Sequence, residues 1–175
     1  MKKKIIAIVL LFPLTMGLLS ATDNPQPQEK MYATLILNFA RGMQWPDNAH
    51  NSEFVIGVLE YPPLLSELES AATSIKVGSR KIRVKAISTG DDPAGCHVLF
   101  VPAFKSRSFQ SLLAKLRNEP TLLITNKPDL AKNGAGINFV LVNGKLKYEI
   151  NTTAIEARGL KISAAIKGMG IVVGP

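Results

Sequence analysis

The chain has 175 residues, 46% hydrophobic and 19% charged, with 13 glycines, 11 prolines and a formal net charge of +8. That is one domain's worth of sequence with ample core material, which excludes a coiled coil and a wholly disordered chain. The single cysteine, Cys96, forms no intramolecular disulfide, and with two histidines it supplies no structural zinc site of the usual kind.

The chain opens with Lys2 to Lys4, a 15-residue apolar run from Ile5 to Leu19, and the small residues Ser20 and Ala21. A basic head, an apolar stretch and a small-residue exit predict a cleavable secretory signal over 1–21. A membrane span needs about 20 apolar residues, and Pro13, Thr15 and Gly17 weaken this one further. A flexible arm over 22–29 follows, and then one α/β domain over 30–175. Without the three lysines of the signal, 18 basic residues (21 less three) face 13 acidic ones, a balance of +5. The remaining cations are scattered and carry no interleaved aromatics, so they read as a solvated face and exclude nucleic acid as the partner.

From Lys30 to Gly42, Met31, Leu35 and Phe39 form one stripe and Tyr32, Ile36 and Ala40 its neighbour, which predicts a buried helix. Trp45 and Pro46 then enter a turn that continues through His50. Glu53 to Glu60 is β-branched and apolar throughout, the pattern of a strand covered on both faces, and Pro62 and Pro63 open a helix. Ile75 and Val77, then Ile82, Val84 and Ala86, alternate with Lys and Arg about Gly78 and Ser79, predicting a half-exposed hairpin with its basic side chains in solvent.

Cys96 to Pro102 predicts a short buried strand, 106–118 a helix, Thr121 to Asn126 another buried strand, and Pro128 to Ala131 a short helix. Asn143-Gly144 between Ile137–Val142 and Lys145–Ile150 is a strong hairpin signal. Asn151 or Thr152 caps a helix that Gly159 closes, and 160–170 forms a last amphipathic helix. The fold class is α/β: a sandwich with a central mixed, mostly parallel sheet flanked by helices, ending in an antiparallel hairpin.

Catalytic constellations do not emerge. Cys96 and His97 are neighbours on a strand, so they point to opposite faces and form no thiolate–imidazole pair. The glycines at 134–136 and 168–170 precede extended segments and offer no phosphate cradle at a helix start. Asp91-Asp92 is ordinary turn chemistry. This points to a binder or regulator, with no cofactor and no metal, rather than an enzyme.

Six segments in order, ATLILNFARGMQWP, FVIGVLE, KVGSRKIRVKAIS, CHVLFVP, INFVLVNGKLKYEIN and ARGLKISAAI, resemble those of the YfiR-like periplasmic regulators from about Met31 to Ile166. The signature falls on Asn38, Phe39, Trp45 and Pro46, on Cys96 and His97, and on Glu149, Ile150, Asn151, Gly159, Leu160, Lys161, Ile162 and Ser163. The resemblance implies a periplasmic protein that binds the periplasmic domain of an inner-membrane diguanylate cyclase and holds it inactive, restraining cyclic di-GMP and biofilm growth. Relatives often carry paired cysteines; this chain keeps only Cys96, so a disulfide trigger within one molecule is excluded here.

Candidate partner-binding residues are Trp45 and the C-terminal apolar set Leu160, Lys161, Ile162, Ile166, Met169 and Ile171, with a homodimer as a further assembly. The alternative function is a periplasmic small-molecule sensor or carrier working with a membrane histidine kinase. It would use a cleft at the carboxyl ends of the parallel strands, with Arg41, Arg83, Lys85 or Arg158 holding an anion.

Overall fold

The computed structural model describes residues 27–46 and 52–174. The predicted signal, most of the arm and His50 lie outside the described residues. Helix α1 (Pro27–Gly42) starts three residues before the predicted Lys30. Proline suits a first helical turn, and the early turn is anchored: the Tyr61 hydroxyl donates to buried Glu29, and the Gln28 amide donates to the Tyr32 hydroxyl at 2.5 Å. Tyr32, Ile36, Phe39 and Ala40 are buried, whereas Met31, at 47% exposure, turns outward.

After β1 (Met43–Gln44) come β2 (Glu53–Leu59), α2 (Pro62–Ala72), β3 (Lys76–Val77), β4 (Arg80–Ile87) and β5 (Val98–Val101). The predicted 106–118 helix is shorter and split, with a 3-10 helix over Ala103–Ser108 and then α3 (Phe109–Lys115). The 3-10 turns bury no side chain, so no packing selects α geometry there, while Phe109, Leu112 and Leu116 seat α3 on the sheet. Strand β6 (Leu122–Thr125) follows. The predicted helix at Pro128 to Ala131 is a series of turns, because Asp129 takes the left-handed conformation (φ 67°) that a helix excludes. The chain closes with β7 (Ile137–Val142), β8 (Lys145–Ile150), α4 (Thr152–Glu156), β9 (Lys161–Ile162), α5 (Ala164–Met169) and β10 (Ile171–Val172). The predicted last helix therefore shrinks to α5 between two extended pairs.

The main sheet has the order β10-β8-β7-β6-β5-β2-β4-β3. Strands β4, β2, β5, β6 and β7 run parallel, while β7–β8 and β3–β4 are antiparallel. Asn143 and Gly144 both have positive φ (51° and 72°), the conformation that lets a two-residue turn follow the strand twist. The hairpin is not the sheet's edge, because β10 adds to β8 in parallel beyond it.

Two cores cover the two faces. On one, α1, α2, α4 and α5 pack over Phe54, Ile56, Phe100, Ile124, Phe139 and Ile150. On the other, Phe109, Leu112 and Leu116 pack over Leu59, Ile87, Leu99 and Leu123. The first core is organised by aromatic rings: Tyr32 stacks on Phe139 at 4.5 Å and Phe39 meets Tyr148 edge-on at 5.0 Å.

Candidate functional site

The signature segments converge at the amino ends of β2 and β5. There the His97 backbone N–H donates to the Val55 carbonyl (2.9 Å), and the Val55 N–H donates to His97 Nδ1 (3.1 Å). The imidazole thus replaces a carbonyl in the ladder, which requires Nδ1 to carry no proton. The ring stacks on Phe54 (4.5 Å), Arg80 lies 3.1 Å from Nε2, and its guanidinium sits 5.2 Å above the Phe54 ring. Half-buried Trp45 meets Phe54 edge-on at 4.8 Å and donates its indole N–H to the His97 carbonyl at 3.3 Å. Arg80 corrects one expectation: it leaves the solvent-facing basic row and covers the aromatic pair.

A second ribbon fastens the C-terminal segment here. Strand β1 pairs antiparallel with β9, Met43 opposite Ile162 and Gln44 opposite Lys161. Gly159 has φ 70°, and a β-carbon there would lie 3.3 Å from the Pro46 ring. Trp45, Pro46, His97, Gly159, Lys161 and Ile162, dispersed over the sequence, are therefore one clamp. The clamp locks segments distant in the chain together, and it brings no thiol to the imidazole, since His97 packs on one face of the sheet and Cys96 on the other.

Cys96 is 3% exposed, its thiol pushed above its ordinary pKa by burial. Gly57 makes the room: a β-carbon at 57 would approach Cys96 Sγ to 2.9 Å. Iodoacetamide should therefore alkylate the native protein roughly a hundredfold or more slowly than a peptide cysteine, because reaction waits on local opening. Alkylation at the peptide rate, followed by mass spectrometry, would overturn this burial.

The remaining signature residues serve the frame. Asn151 caps α4 by accepting from Ala154 N–H (2.8 Å) and donates to the Ala131 carbonyl (2.7 Å). Glu149 accepts from buried Asn138 (2.8 Å), and Ser163 caps α5. Phe39 and Ile150 are core, and Asn38 is exposed on α1.

The C-terminal candidates separate. Leu160 and Ile166 are 1% and 6% exposed, which corrects their assignment to a docking face: both belong to the core under α1. Ile162 is half-buried against that core. Lys161, Met169 (66%), Ile171 (42%) and also Val172 (51%) face solvent, the last two on the β10 edge.

The four basic candidates do not form one cleft. Arg41 ends α1, Arg83 and Lys85 lie on the exposed row of β4, with Arg83 3.5 Å from Glu53, and Arg158 follows α4. Just past β2 and β5, where the chain switches direction across the sheet, stand residues that sequence reasoning missed. Lys105 pairs with Glu60, a non-glycine residue at φ 42°, and Phe104 meets Tyr61 edge-on at 5.6 Å. Lys105 and the Thr89 N–H hold the Glu60 carboxyl down at about 2. No sequence pattern announces a left-handed glutamate.

A family model described as YfiR/HmsC-like matches residues 29–168. No curated protein matches the chain.

Proposed function

Because the chain belongs to the YfiR/HmsC-like family, a family of regulatory proteins rather than enzymes, we propose that it is an exported repressor that contacts the periplasmic domain of an inner-membrane diguanylate cyclase and lowers cyclic di-GMP and biofilm formation. The observation that carries this reading is the exposed apolar strip formed by Ile171 and Val172 on β10, the edge strand among the described residues, and by Met169 at the end of the preceding helix α5. Side chains of this kind, on a strand with no further neighbour among the described residues, suit strand addition or apolar docking by a protein partner. No helix among the described residues is long and apolar enough to cross a membrane.

Deleting the gene should raise cyclic di-GMP, and the rise should vanish when the partner cyclase is deleted as well. Unchanged cyclic di-GMP in a strain shown to make the protein would overturn the repressor reading.

A further inference from the structure

Between α3 and α4 lies an open slot of about 380 Å³. Ala114, Ala154 and Ala157 make an apolar floor, and Gln110, Arg117 and Arg158 supply the polar groups, with no acidic residue among its walls. Gly134 helps keep the slot open: it sits at φ 109°, and a β-carbon there would push within 3.0 Å of Leu113, another wall residue.

Arg158 is the group that asks for a ligand. It is half-buried, its Nη1 donates to the Ala154 carbonyl at 3.0 Å, and its Nε is buried with no acceptor among the described residues. Burial holds its pKa below the ordinary arginine value. No ion pair of the described residues includes it. A guanidinium partly withdrawn from water costs free energy unless an anion or full hydrogen bonding compensates it, and the single Ala154 carbonyl compensates only in part. Arg117, exposed on the same slot, brings a second positive charge.

We propose that this slot binds a small carboxylate-bearing molecule, its oxyanion held by Arg158 and Arg117 and its apolar body lying on the alanine floor. Two guanidinium groups supply positive charge and N–H donors for a carboxylate's two oxygens, and the methyl floor selects against a bare inorganic ion. The site is independent of the repressor reading and of the β10 edge.

Benzoate, titrated against the purified protein and read by thermal denaturation, is the probe, with benzamide as its neutral isostere and inorganic phosphate as the bare oxyanion. Benzoate should raise the midpoint with dose, and benzamide and phosphate should not. Arg117→Gln should weaken benzoate binding about tenfold or more through loss of a charge-assisted contact, and Ala157→Trp should abolish it by filling the slot. Both positions are exposed, so circular dichroism should match the parent protein. No shift with benzoate, an equal shift with benzamide or phosphate, or undiminished binding in Arg117→Gln would overturn the proposal.

Discussion

Ile166→Glu is expected to remove folded protein, whereas Met169→Glu, three residues along the same short helix, is expected to leave the fold intact and abolish repression. Ile166 is 6% exposed, its backbone carbonyl accepts the Tyr148 hydroxyl at 2.9 Å, and its side chain fills the space that Gly42 leaves at the end of α1. A β-carbon on Gly42 would come within 2.5 Å of Ile166 Cδ1, so no slack is available for a carboxylate. An unpaired buried charge costs several kcal/mol, against a total stability of about 5–15 kcal/mol for a domain. Met169 is 66% exposed, so a charge there is solvated in the free protein. Beside the proposed docking edge it must be desolvated when the partner binds, a loss on the order of a thousandfold in affinity. Soluble yield and circular dichroism check the first variant; cyclic di-GMP in cells checks the second. A well-folded Ile166→Glu protein would refute the packing of α5, and a fully repressing Met169→Glu protein would remove the exposed end of α5 from the interface.

Phe139→Ala should be the most destabilising truncation in the aromatic core. Its ring stacks on Tyr32 at 4.5 Å with the planes 6° apart, lies 6.2 Å from Phe39 and 6.3 Å from Phe100, and ties α1 to β7 and β5. Removing a buried phenyl group costs about 3–5 kcal/mol through lost transfer energy and the cavity left behind. Loss of three aromatic contacts places this site toward the upper end. At about 2–4 °C per kcal/mol for a chain of this size, the melting midpoint should fall by roughly 10 °C or more. Val142→Ala, at the 39% exposed end of the same strand, should shift it by no more than a degree or two. Comparable losses from the two would mean that the ring stack is not the centre of this core.

The elements that sequence patterning located well are those whose signal is local and repeated. Short, largely apolar runs located β2, β5 and β6, Asn143-Gly144 located the β7–β8 turn, and Pro62 opened α2. The opposite faces of Cys96 and His97 followed from the two-residue period of a strand. The signature residues were identifiable as a set, yet nothing local indicated that Trp45 meets His97 or that Pro46 meets Gly159, contacts that accompany the pairing of β1 with β9 across the molecule.

By itself, then, the sequence determined the α/β class, the parallel centre with its hairpin, the buried state of Cys96 and the likeness to a regulatory family, because period, turn chemistry and ordered motifs act over a few residues. The tertiary structure alone decided which side of α5 is core, which cations stay in solvent and where a slot remains. Six helical residues between pairs of extended ones carry too few turns to fix the phase of an apolar face, so Ile166 and Met169 are equivalent in sequence and opposite in burial. Arg80 and Arg158 look like surface cations in the sequence. Their partial burial depends on neighbours distant in the chain: Phe54 lies beneath Arg80, and Arg158 lines a slot whose far wall is α3. Burial is a property of what the completed topology lays over a residue, and no local pattern encodes it.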